Sequence, residues 1–107
     1  MKDFENKVVI VTGAASGIGR AAAVGFAKQG AAVVVADINE SGANETVSMI
    51  GDRALAVSVD VSDPQSCLTM VDRAIEKFGR LDVIFNNAGI GGNRAVTGDL
   101  STEDWLR

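Results

Sequence analysis

Short apolar runs alternate along this chain with longer segments in which apolar residues recur every three or four positions. Val8-Val9-Ile10-Val11 is an unbroken β-branched run, the pattern of a parallel strand buried on both faces. A glycine-rich turn follows at once. Ile18, Ala22, Val24 and Phe26 then recur at helical spacing, with Gly30 as the residue that closes the helix. Ala31-Ala32-Val33-Val34-Val35-Ala36 predicts a second buried strand that ends at Asp37. The next helix, capped by Asn39 or Ser41, runs to about Ile50 with Ala43, Val47 and Ile50 on one face. Gly42 and the β-branched Thr46 and Val47 make it weak by propensity.

Ala54-Leu55-Ala56-Val57-Ser58-Val59 predicts a third strand, leading into Asp60-Val61. Ser62-Asp63-Pro64 is the clearest helix start: Asp63 can accept from free N–H groups of the first turn, and Pro64 suits the first helical position. Leu68, Val71, Ala74, Ile75 and Phe78 form the predicted apolar stripe, and Gly79 ends the helix. Leu81-Asp82-Val83-Ile84-Phe85 predicts a fourth strand running into Asn86-Asn87-Ala88-Gly89. A loop over residues 90–100 follows. Ser101-Thr102-Glu103-Asp104-Trp105-Leu106 reads as the capped beginning of another helix. Strands alternating with helices predict an α/β fold: a parallel sheet, right-handed crossovers and helices on both faces.

Composition narrows the function classes. At 107 residues the chain is at most one domain, and 47% apolar content supplies a core. A net charge of −4 without a basic cluster argues against nucleic acid and anionic membranes as partners. The single cysteine, Cys67, has no internal disulfide partner, and its apolar helical setting predicts ordinary packing. With no His and no zinc-ligand spacing, no metal site is expected. Residues 1–7 are too polar for a signal peptide and the apolar runs are only strand-length, so a cytoplasmic location is the expectation.

Candidate chemistry gathers where strands give way to turns. The first helix presents unpaired N–H groups and the positive end of its macrodipole to the glycine turn, a setting for a phosphate. Glycines there allow left-handed backbone angles and let a pyrophosphate approach without meeting a Cβ. Asp37 lies 24 residues after Gly13, at a strand end where a carboxylate can accept from both hydroxyls of an adenosine ribose. It would repel a 2′-phosphate, and Ile38 brings no compensating base, which favours NAD over NADP. Alternatively, Asp37 merely opens the following turn. Asp60-Val61 offers an adenine pocket or, in the plainer reading, the punctuation of a strand-to-helix turn. The Asn86-Asn87-Ala88-Gly89 run lies at the sheet's switch point, where small residues leave room for a nucleotide, or is itself only a turn.

Thr12-Gly-x-x-x-Gly-x-Gly, Asp37, Asp60-Val61 and Asn86-Asn87-Ala88-Gly89, in this order and spacing, resemble the amino-terminal half of an NAD-dependent short-chain dehydrogenase/reductase over essentially the whole chain. The resemblance implies a Rossmann-like doubly wound sheet of order 3-2-1-4, truncated after the fourth strand, with residues 1–107 as an NAD-binding domain of a longer enzyme. It implies that Gly13, Ser16, Gly17, Ile18 and Gly19 line the pyrophosphate and ribose, and that Asp37 with Ile38 holds the adenosine. Asp60 with Val61 would hold the adenine, and Asn87, Ala88 and Gly89 the adenine-side ribose and its strand end. Hydride transfer between NAD(H) and a secondary alcohol or ketone is the implied chemistry.

Family members carry that chemistry on a Ser and a Tyr-x-x-x-Lys pair. The resemblance places these beyond Arg107, and the chain contains no Tyr. No catalytic residue is therefore expected within it. The expectation is a fragment of a longer enzyme that self-associates through an exposed fourth strand. The alternatives are a non-catalytic NAD-binding or regulatory module and a fragment that only pairs through its edge.

Overall fold

A computed structural model describes residues 4–87. Four strands and three helices alternate: β1 (Val8–Thr12), α1 (Gly17–Lys28), β2 (Ala32–Asp37), α2 (Glu40–Ile50), β3 (Ala54–Ser58), α3 (Pro64–Phe78) and β4 (Val83–Asn86). The strands form one parallel sheet in the order β3-β2-β1-β4, as the resemblance implies. The loop over 90–100 and the helix expected from Ser101 lie outside the described residues.

Strand residues alternate between two cores, one on each face of the sheet. Ile10, Val34, Ala36, Val57 and Ile84 pack with Cys67, Met70, Val71 and Ala74 of α3. Val9, Val11, Val33, Val35 and Val83 pack on the other face with Ala23 of α1 and Ala43 of α2. The central strands β1 and β2 are thus buried on both sides, which is why their sequences lack alternation. The sheet grows from β1 through β2 to β3 with α1 and α2 on one face. It then returns across α3 to place β4 on the far side of β1, and the constant hand of such crossovers puts α3 on the opposite face.

The caps follow the expected chemistry. Asn39, not Ser41, caps α2 by accepting from Gly42 N–H at 3.0 Å. Asp63 accepts from Gln65 N–H at 3.0 Å ahead of Pro64, and Gly79 closes α3 in a left-handed conformation. The apolar stripes need correction. On α3 the buried residues are Cys67, Met70, Val71 and Ala74, while Leu68 and Ile75 are 39% and 44% exposed. On α1 the buried positions are Gly19 and Ala23, and Ile18 is 67% exposed, so it belongs to the rim of the turn rather than to the core. Cys67 is buried as expected. Burial, and then the negative charges of Asp63 and Asp60, push its thiol above the usual value, so it stays protonated as a packing residue.

Candidate functional site

The carboxyl ends of β1, β2 and β3 open onto one cleft of about 170 Å³, lined by Gly13, Asp37, Ile38, Val59, Asp60 and Val61. Five residues selected from the sequence therefore converge from three separate strand ends. Gly13 leaves β1 with φ 66°, a conformation that an L side chain strains to adopt. The turn then enters α1 through Ser16, which makes no side-chain cap hydrogen bond. The first N–H groups of α1 have no carbonyl one turn back to receive them. The exposed run Ser16, Gly17 and Ile18 forms the rim above them.

Gly19 explains how close the turn lies to the helix. A Cβ there would sit 1.9 Å from the Gly13 carbonyl oxygen and 3.0 Å from Asn87 Nδ2. Only a glycine permits this approach, and the same geometry brings Asn87 against the start of α1. Thr12, fully buried, ties the strand ends together: its hydroxyl donates to Asn86 Oδ1 at 2.9 Å and accepts from Asn87 N–H at 3.0 Å. Ala88 and Gly89 lie outside the described residues.

Asp37 reaches both neighbours of its strand end. Oδ2 accepts from Ala15 N–H and Oδ1 from Asn39 N–H, each at 2.9 Å. The turn-opening role is thus present, and a second bond links the carboxylate to the glycine turn itself. Each oxygen keeps a further lone pair for a ligand hydroxyl. Asp60 likewise shapes its own turn, accepting from Ser62 N–H at 3.0 Å and Ser62 Oγ at 2.6 Å. The Ser62 hydroxyl, then its N–H, hold the Asp60 carboxyl below its ordinary value. The Asp60 amide is taken by Ser66 Oγ at 2.9 Å.

Sequence reasoning passes over three residues beside the turn. Arg20, Gly42 and Thr46 connect α1 and α2 to the carbonyls of Ala14 and Ala15. By pattern alone Gly42 and Thr46 register only as poor helix formers. Their spacing of one helical turn is the available signal. Among the described residues no cluster of His, Cys, Asp or Glu is placed to hold a metal ion, and no helix is long and apolar enough to cross a membrane.

Residues 7–107 match the family model for short chain dehydrogenase. Cyclohexanol dehydrogenase of Acinetobacter sp. (strain SE19) is 43% identical over 107 residues, covering 97% of this chain and 43% of the relative. A crystal structure of 3-ketoacyl-(acyl-carrier-protein) reductase from Brucella melitensis complexed with NADH is 46% identical, with a TM-score of 0.80 over 83% of this chain and 36% of that one. A short chain dehydrogenase/reductase from Burkholderia phymatum in complex with NAD is 39% identical, with a TM-score of 0.78 over 85% of this chain and 34% of that one. The chain spans about two fifths of the length of the curated relatives it matches.

Proposed function

The chain belongs to the short-chain dehydrogenase family, and from that membership we propose that it forms the dinucleotide-binding part of an oxidoreductase selective for NAD(H). The observation that carries this reading is the convergence of Gly13, Asp37, Ile38, Asp60 and Val61 on one cleft beside the side-chain-uncapped start of α1. A dinucleotide fits this donor set. Gly17, where an added Cβ would meet nothing within 4 Å, leaves open space for a pyrophosphate over the amides of Gly17, Ile18 and Gly19. Ser16 contributes a hydroxyl at the rim.

Asp37 accepts from the adenosine ribose, and Ile38, 70% exposed, covers the adenosine from the side. Asp60 and Val61 flank the adenine, and Asn87 with Ala88 and Gly89 supports the adenine-side ribose and its strand end. The bound cofactor supplies a hydride donor or acceptor at its nicotinamide. This chain's residues bind and orient it, and with no Tyr in the sequence the chain brings no phenol for proton transfer. A relative named for cyclohexanol and a neighbour named for a 3-ketoacyl group support a secondary alcohol or ketone as the substrate of the complete activity. Self-association through β4 completes the reading.

NAD selectivity rests on charge. A 2′-phosphate would meet the Asp37 carboxylate with only Ile38 beyond it, and like-charge juxtaposition at a binding surface costs on the order of several kcal/mol. Titration with NADH and NADPH, followed by nicotinamide fluorescence, should give a dissociation constant at least about tenfold lower for NADH. No NADH response at millimolar concentration would overturn the cofactor reading, and equal affinities would overturn the selectivity.

A further inference from the structure

Neither Arg20 nor Thr46 lines the cleft, and both hold the glycine turn through its carbonyls. Thr46 is fully buried on α2, and its hydroxyl oxygen lies 2.7 Å from the Ala14 carbonyl oxygen. Arg20 Nε lies 2.9 Å from the same hydroxyl, while Nη2 reaches the carbonyl oxygens of Ala15 at 2.5 Å and Gly42 at 3.2 Å. Bond directions follow from the chemistry. A guanidinium only donates, so Thr46 Oγ1 accepts from Arg20, and its one proton is left for the Ala14 carbonyl at 2.7 Å, the nearer of two acceptors, the Gly42 carbonyl lying at 3.3 Å.

Resting on the cofactor reading above, we propose that Arg20 and Thr46 are paired positioning residues that clamp the Ala14 and Ala15 carbonyls of the turn, holding its amides toward the cofactor's pyrophosphate. The peptide plane between Ala14 and Ala15 is held at both edges, its carbonyl by Thr46 and its N–H by Asp37. In the next peptide the carbonyl of Ala15 points to Arg20. A planar trans peptide directs its N–H the opposite way, so Ser16 N–H faces away from Arg20. Ala14 and Ala15 are 0% and 5% exposed, so water cannot replace a lost partner there at little cost. Gly42 makes the arrangement possible: a Cβ at that position would lie 2.7 Å from Ala15 Cβ and 3.2 Å from its carbonyl oxygen. A lysine at position 20 could not reproduce the fork, which spans acceptors on two elements. The remaining contact, Arg20 Nη2 to Glu45 Oε1 at 3.0 Å, ends on a carboxylate that is 68% exposed and adds little.

The clamp is tested in the full chain with Thr46→Val, Thr46→Ser and Arg20→Lys, each titrated with ADP and with adenosine by competition against NADH fluorescence. ADP needs the turn's amides, whereas adenosine needs only the cleft. Thr46→Val and Arg20→Lys should weaken ADP about tenfold and adenosine less than about twofold, while Thr46→Ser, which keeps the hydroxyl, should match the parent for ADP. The clamp is overturned by unchanged ADP affinity in the Val and Lys variants, by equal losses for both ligands, or by a Ser variant as weak as the Val variant. A parent chain that binds neither NADH nor ADP would overturn the cofactor reading, and the clamp with it.

Discussion

Asp37 puts several demands on a single carboxylate. Its two oxygens already accept from Ala15 and Asn39 amides, and the proposed ribose contact adds to these. Asp37→Ala should therefore weaken NAD binding by about 1–3 kcal/mol, the scale of hydrogen bonds to a charged acceptor, as read by calorimetric titration. An unchanged dissociation constant would place the ribose elsewhere. The position of Asp37 at the end of a buried strand is legible from the amino-acid order, but a turn-opening Asp and a ribose-binding Asp look alike there, and the structure shows the first role in its bond from Asn39 N–H. Arg20 and Thr46 are not legible in the same way. They are separated by 26 positions, and only the docking of α2 on the turn brings them into reach.

At the scale of elements, β1 and β4 are moored at both ends. Thr12 and Asn86 join the carboxyl ends, and Asp82 Oδ2 accepts from Val8 N–H at 2.8 Å near the amino ends. Burial alone would raise the Asp82 carboxyl. The Arg80 hydrogen bonds, the Val8 amide and the charges of Arg80 and Lys7 outweigh it and hold the carboxyl below its ordinary value. A depressed folded-state value means stabilisation that is complete above the unfolded carboxyl value of about 3.9 and lost as pH falls through the folded one. Urea midpoints measured from pH 6 downward should therefore fall more steeply below about pH 4 in the parent than in Asp82→Asn. Parallel curves would remove Asp82 from the acid response.

Helix α3 marks the boundary of pattern reading at this scale. Its cap is plain in Asp63-Pro64, but Cys67-Met70-Val71-Ala74 and the predicted Leu68-Val71-Ala74-Ile75-Phe78 are both regular helical stripes, sharing Val71 and Ala74. Periodicity establishes that a buried face exists. The sheet surface beneath it chose the first set for burial, leaving Leu68 and Ile75 half-exposed.

For the whole molecule, the proposed self-association rests on the sheet edges. Among the described residues β4 pairs only with β1, and β3 only with β2. β4 nevertheless carries the buried Val83 and Ile84, and an unpaired strand edge is a template for another chain. Sedimentation of the full chain should show concentration-dependent association, and a single monomeric species at every concentration would discount pairing through β4. What the amino-acid order determined alone was local: the β-branched runs, the cap at Asp63, the choice of Asn39 or Ser41 ahead of α2, the glycine turn and the carboxylates that follow strands. Those properties arise from side-chain shape and from hydrogen bonds within a few residues. The cleft, the seating of Asn87 against Gly19, the choice of stripe on α3 and the Arg20–Thr46 grip were decided only by tertiary structure. Each depends on where one element comes to rest against another, and packing between distant segments leaves no periodic trace in either of them.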